Sequence, residues 1–139
     1  MTLELLLRAA GASLVALALV HAALWRHLRW GEERGRLSPL NARVFAVHVF
    51  FIAFVLAALG ALSLARPDLL LARSELARAL LSATVLFWIV RLAIQPFVFD
   101  PVMPAPLRGL PARLLVSAVW AGYVAIYGLA LMRRLGAAR

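Results

Sequence analysis

The stretch VFAVHVFFIAFVLAALGALSLA, residues 44–65, decides the fold, because its 22 residues carry no formal charge and are interrupted only by His48. An α-helix of this length rises about 30 Å, which is the thickness of the hydrocarbon core of a bilayer. Pro67 follows directly after Arg66 and cannot continue the helical hydrogen-bond ladder. The stretch therefore predicts a transmembrane helix that ends near residue 65.

Three other stretches have the same character, and Ser74 with Glu75 marks the start of one of them as a helix N-cap. Near the N-terminus, Glu4 stands where a secretory signal peptide would carry basic residues, so we expect a retained span there. The sequence predicts an all-α integral membrane four-helix bundle, with both termini on the same side, in a single domain over 1–139. The predicted spans are residues 5–26, 44–65, 77–97 and 113–132.

Composition supports the membrane assignment. Of 139 residues, 65% are hydrophobic and 15% are charged, where a soluble domain has about 25% charged residues. All fifteen basic residues are arginines, and the formal net charge is +9. The arginines lie at the ends of apolar runs, where they meet lipid headgroups, and form no stripe interleaved with aromatics. We therefore expect the lipid bilayer, and no nucleic acid, as a partner. Because cysteine is absent, disulfides and thiolate sites are excluded.

Glycines, prolines and charged residues indicate where the connections between the spans lie. Residues 26–43 predict a solvated loop, and residues 96–111, which hold five of the seven prolines, predict an extended connection. The side of the membrane that carries these two connections is called the loop side below. Flanking arginines number seven on each side, so the positive-inside rule does not orient the chain. We expect a multi-pass protein of a bacterial inner membrane.

Each predicted span carries one polar side chain close to the loop side. His21, His48, Gln95 and Ser117 each lie four or five residues inside the nearest loop-side charge, about 6 to 8 Å deep in a helix. Arg91 lies about 13 Å deep by the same measure. These positions predict a polar pocket near the loop side.

Arg91 is the most informative residue, because a charge inside a span is costly and is usually functional. One alternative is that its side chain extends to the headgroups. That would run against the Cα–Cβ direction of its helix, which favours partners inside the bundle. The expected partners are backbone carbonyls, a bound anion and the side chains of Gln95, Tyr123, Trp88 and Trp120, with Asp100 if the chain bends back after Pro96.

Small residues predict where spans approach each other, because they let helix backbones come close in lipid. Ala53, Ala57 and Ala61, together with Gly60, form one such patch. A second patch on the last span consists of Ser117, Ala121 and Ala125, flanked by Ala118 and Gly122. We expect these patches to pack inside the bundle, or to face a membrane protein partner or a second copy of the chain.

Two stretches, LSPLNARVFAVHVFFIAF (37–54) and LFWIVRLAIQPFVFDP (86–101), resemble recurring stretches in a family of small, uncharacterised bacterial four-span membrane proteins. The likeness covers roughly residues 25–101. It implies a four-span architecture, and because no activity, cofactor or partner is assigned to that family, it transfers no functional residue.

The sequence holds no catalytic motif, metal-binding cluster or cofactor fingerprint, so we predict no cofactor and expect a non-catalytic accessory protein rather than an enzyme. A membrane partner or small amphiphile would bind in the polar pocket. Arg91 would supply charge, Gln95 and His21 hydrogen bonds, and Trp88 and Trp120 apolar walls, with Tyr123 beside them.

Two alternatives stay open. Imidazoles from neighbouring spans can hold haem, so His21 and His48 would be the ligands of haem b in a redox protein, and a quinone is a comparable occupant of the pocket. A small transporter or channel would need a continuous polar path across the membrane. The first and last spans are apolar over their terminal halves, which does not favour such a path.

Overall fold

The computed structural model describes residues 2–103 and 108–136, without the side chains of residues 26, 27 and 134–136. The protein is all-α, and the described residues include no β-strand. The helices are α1 (Leu3–His27), α2 (Trp30–Gly35), α3 (Pro39–Ala65), α4 (Pro67–Leu71), α5 (Glu75–Ile94) and α6 (Leu110–Gly136).

Among the described residues, four segments are long and apolar enough to cross a membrane, as the sequence predicts. They are Leu3–Trp25, Pro39–Ala65, Glu75–Val102 and Leu110–Arg133. The prediction of an all-α, four-helix membrane protein is confirmed, and the chain is a multi-pass membrane protein.

Helix ends follow their capping residues. The Ser74 hydroxyl accepts a hydrogen bond from the Ala77 N–H at 3.2 Å and starts α5, at the cap that the sequence indicates. Ser38 caps α3 in the same way, so this helix starts at Pro39 rather than at residue 44. Helix α2 occupies Trp30–Gly35, and the prediction of a loop throughout residues 26–43 was therefore wrong.

The proline-rich segment also differs from the prediction. Gln95–Phe99 forms a π-helical turn and Asp100–Val102 a 3₁₀ turn, so the chain stays helical through Val102 instead of becoming extended. In a regular α-helix the ring of Pro96 would clash with the Leu92 carbonyl. The wider turn, in which the Asp100 N–H donates to the Gln95 carbonyl, relieves that clash. Residues 104–107 of the predicted connection lie outside the described residues.

The chain divides into two compact units. The α1–α3 unit comprises residues 4–67, and the α5–α6 unit comprises the described residues from 68 onward with residues 2 and 3. Each unit contains one antiparallel pair of long helices.

In the α1–α3 unit, glycines bring the helix backbones together. A Cβ atom added to Gly11 would lie 2.6 Å from the Gly60 carbonyl oxygen, so only glycine fits there. The buried residues of α3 are Leu56, Gly60 and Ser63, whereas Ala61 is exposed. Of the predicted small-residue patch, Gly60 therefore packs inside the unit, whereas Ala61 does not.

In the α5–α6 unit, large side chains pack. The buried stripe of α5 ends at Trp88, and α6 contributes Trp120, Tyr123, Tyr127 and Ala130 to the core. The predicted patch around Ala121 and Ala125 is wrong as the packing face, because both alanines are exposed. Aromatic rings on the other face of α6 fill the space between the helices and bury more apolar area. Both units also expose many large apolar side chains, which suit contact with lipid.

Candidate functional site

Gln95, at the start of the π-helical turn, is fully buried and joins three other side chains. Its Oε1 accepts hydrogen bonds from Nη1 of Arg91 at 2.8 Å and from Nε1 of Trp120 at 3.2 Å. Its Nε2 donates to Oδ1 of Asp100 at 2.7 Å. Because Arg91 and Trp120 can only donate and the carboxylate accepts, these partners define the orientation of the amide.

Asp100 links this end of α5 to the beginning of α6. Its Oδ2 accepts a hydrogen bond from Nε of Arg113 at 2.8 Å, and its side chain is 6% exposed. The π and 3₁₀ turns after Gln95 position the carboxylate for both contacts. We call Arg91, Gln95, Asp100, Arg113 and Trp120 the Arg91 network.

The guanidinium of Arg91 lies against two aromatic rings. Its Cζ is 4.1 Å from the centroid of the Phe99 ring and 4.8 Å from that of the Trp120 ring, within cation–π range. The side chain extends toward the C-terminus of its helix, against the direction that the Cα–Cβ geometry favours, because the hydrogen bond to Gln95 and the two rings lie there. It is half-buried.

The aromatic wall continues behind Trp120. The Trp88 ring stacks on the Trp120 ring with centroids 5.3 Å apart and planes 12° apart, and lies 4.4 Å from the Tyr123 ring. Trp88 is 1% exposed. Its indole Nε1 has no acceptor among the described residues. Since buried polar groups usually have a partner, this N–H is an unused donor beside the network.

The charges of the Arg91 network do not cancel. Asp100 is its one acid, and the ion pair with Arg113 accounts for that charge. Among the described residues, no carboxylate lies within ion-pair distance of Arg91. The network therefore carries a net charge of about +1 when all three groups are ionised.

The two histidines belong to the α1–α3 unit. Nδ1 of His21 lies 2.8 Å from the Leu17 carbonyl oxygen, and Nδ1 of His48 lies 2.9 Å from the Val44 carbonyl oxygen. A carbonyl only accepts, so each Nδ1 carries the hydrogen and each Nε2 remains for another partner. His48 is exposed, whereas His21 is half-buried.

His21 lines an open groove of about 300 Å³ between α1 and α3. The other lining residues are Ala22, Trp25, Ala46, Val49, Phe50 and Ala53. At 3.6 residues per turn, His48 points about 150° away from the groove face of α3. The two histidines therefore do not face one groove, which argues against a shared haem.

Of the predicted site residues, the α5–α6 unit brings together Arg91, Gln95, Trp88, Trp120 and Tyr123, whereas His21 lies in the other unit. Sequence reasoning missed Phe99 and Arg113 and made Asp100 conditional on a bend. One signal for the Asp100–Arg113 pair was available, because they are the last acid before the final span and a basic residue near its start. Phe99 had no comparable signal, since its position depends on the π-helical turn.

Comparisons of the chain with protein-family profiles, with curated proteins and with solved structures give no match.

Proposed function

We propose that this protein is a non-catalytic accessory protein of a bacterial inner membrane, which holds a membrane partner or a small amphiphile at Arg91. The observation that supports the proposal is the half-buried guanidinium between Phe99 and Trp120, which has one hydrogen bond, to Gln95, among the described residues. A guanidinium has five N–H donors, so four remain for a ligand or for water.

The cost of such a charge favours a binding role over a purely structural one. A charged side chain inside a transmembrane helix costs several kcal/mol (~2.5–3.5 on insertion scales) and usually marks a functional position. The network's carboxylate, that of Asp100, is already bonded to Gln95 and Arg113 and is poorly placed to act as a general base. This supports binding rather than catalysis.

Replacement of Arg91 tests the proposal. Arg91→Leu should purify as a folded protein and lose the lipid, quinone or protein that the wild type retains in mild detergent, measured by mass spectrometry. Arg73→Leu is the matched control, because Arg73 is an exposed arginine of the same unit and should change nothing. If Arg91→Leu retains the wild-type set of bound molecules, the proposed function is wrong.

A second candidate, binding of a redox cofactor, has one observation in its favour. The hydrogen bond from His21 Nδ1 to the Leu17 carbonyl fixes the orientation of the ring, as such bonds do in metal-ligating histidines, and leaves Nε2 at the groove beside Trp25 and Phe50. A quinone ring suits this groove better than haem held by both histidines. Haem b would instead be supported if haem supplementation gives a Soret band that is lost in both His21→Ala and His48→Ala. Absence of a Soret band after supplementation would exclude haem b.

The resemblance to small bacterial four-span proteins is part of the same proposal. It suggests that related chains share the four-span architecture and contain the stretch from Leu86 to Pro101, which includes Arg91, Gln95 and Asp100.

A further inference from the structure

In the α5–α6 unit, the side-chain groups near Arg91 that have hydrogen-bonding capacity left over are donors. The Arg91 guanidinium has donors beyond the one that bonds Gln95, and Nε1 of Trp88 is a buried donor without an acceptor among the described residues. The acceptors nearby already have donors within the protein, because Oε1 of Gln95 accepts twice and each carboxylate oxygen of Asp100 accepts once. A ligand that suits this site presents acceptor oxygens.

The charge of the site indicates the same chemistry. The network has two guanidinium groups and one carboxylate, and among the described residues the direct ion pair of that carboxylate is with Arg113 rather than with Arg91. In surroundings of low dielectric constant, an unpaired charge is unfavourable, and an anion at the guanidinium removes much of that cost.

The surface beside Arg91 is apolar. Phe87, Val90 and Phe97 are 50%, 51% and 82% exposed, so the neighbouring helix surface suits an acyl chain better than water. A ligand that satisfies both the guanidinium and this surface combines an oxyanion with a hydrocarbon tail.

We propose that Arg91 binds the oxyanion head group, a carboxylate or a phosphate, of a membrane amphiphile, with Phe99 and Trp120 as the walls beside the guanidinium. This inference rests on the proposed function and assigns a ligand class to the same site. Charge-assisted hydrogen bonds from arginine to carboxylate or phosphate are short and strong, and a guanidinium can make two of them in parallel.

Tryptophan fluorescence can report this site alone. The chain has four tryptophans, and the double variant Trp25→Phe, Trp30→Phe retains only Trp88 and Trp120, which lie beside Arg91. The full-length double variant in detergent is titrated with dibromostearate, with dibromo-phosphatidylglycerol and with the methyl ester of dibromostearate, because bromine quenches nearby indoles. The methyl ester has the same chain as dibromostearate and no charge.

The proposal predicts saturable quenching by an anionic amphiphile at a concentration about tenfold or more below that needed for the methyl ester, as the loss of a charged hydrogen bond implies. Tighter quenching by the stearate assigns a carboxylate, and tighter quenching by the glycerolipid assigns a phosphodiester. Displacement of both amphiphiles by inorganic phosphate at concentrations below those of the amphiphiles would make free phosphate the ligand and overturn the assignment to an amphiphile. In Arg91→Gln the preference for the anion should disappear, and in Arg73→Gln it should remain.

Equal quenching by the acid and its methyl ester, or an unchanged preference in Arg91→Gln, would overturn the inference. If Arg91→Gln does not fold, the comparison of the acid with its methyl ester on the double tryptophan variant, which retains Arg91, still tests whether the site prefers an anion. Quenching that depends on Arg91 but not on head-group charge rejects the oxyanion and leaves the proposed function standing. The co-purification experiment with Arg91→Leu tests the proposed function separately.

Discussion

At the scale of single residues, Gln95 explains how an arginine can be kept inside a transmembrane segment. A neutral amide cannot neutralise a guanidinium, but it can pass the influence of a more distant carboxylate to it, since its oxygen faces Arg91 and its nitrogen faces Asp100. Such chains of hydrogen bonds are stronger where water is excluded, and each unsatisfied member is correspondingly costly.

We expect Gln95→Leu to lower the free energy of unfolding by roughly 2 kcal/mol, because it leaves the buried Trp120 N–H without its acceptor. Thermal unfolding in detergent, followed by circular dichroism, measures the effect. Ionised glutamate in Gln95→Glu retains the acceptor oxygens for Arg91 and Trp120 but cannot donate to Asp100, so the stability of this variant should fall between those of the wild type and Gln95→Leu. A Gln95→Leu protein as stable as the wild type would show that the network contributes no stability.

The site residues that precede Pro96 on one face of α5 could be predicted from the sequence. The site residues that follow the π-helical turn could not. The spacing of Arg91 and Gln95 places them one turn apart on a regular helix, which is where the structure has their hydrogen bond. Asp100 and Phe99 reach the same site only through a π-helical turn. The sequence signal there was Pro96, which we interpreted as the end of the helix, although a wider turn can accommodate a proline.

At the scale of helices, the two units pack by different means. Helices α1 and α3 meet backbone to backbone at Gly11 and Gly60, whereas α5 and α6 meet through stacked rings such as Trp88 and Trp120. Small residues therefore mark the packing face of α3 at Gly60, whereas on α6 the predicted alanines, Ala121 and Ala125, lie on the exposed face. Small residues mark a contact only where the partner helix also lacks bulk.

We expect Gly60→Ala to destabilise the α1–α3 unit by about 1 to 3 kcal/mol, because the added Cβ would lie 2.9 Å from backbone atoms of Gly11 and Val15. Gly128→Ala is the control, since a Cβ there meets nothing within 4 Å and alanine favours the helix. Unfolding temperatures in detergent would show Gly60→Ala below the wild type and Gly128→Ala at or above it. Equal values for the two variants would exclude tight contact at Gly60.

At the scale of the whole molecule, four crossings would place both ends of the chain on one side of the membrane, and this topology can be tested. The chain has no cysteine, so a single introduced cysteine is a unique label. An impermeant maleimide should label Gly35→Cys and Gly109→Cys from one side, and Thr2→Cys and Arg73→Cys from the other. Labelling of Gly35→Cys and Gly109→Cys from opposite sides would contradict the four-span topology, and the side labelled also gives the orientation, which the balanced arginines leave open.

The number and approximate limits of the spans could be predicted because apolar length is a property of each segment by itself. The extra turns at the start of α3 depend on Ser38 and Pro39, which cap a helix that extends beyond its apolar part. The placement of His21 and Arg91 in different compact units depends on contacts between distant segments, which hydropathy does not encode.

The proposed site requires that protein groups, rather than water, hold the side chain of Arg91 in place. Its rate of modification by phenylglyoxal, followed by peptide mass spectrometry on the purified protein, tests this directly against Arg73, an exposed arginine of the same unit. Arg91 should react several-fold more slowly than Arg73, and the difference should shrink in Gln95→Leu. Modification of Arg91 as fast as Arg73 in the wild-type protein would show that the guanidinium is free, and the proposed site would have no basis.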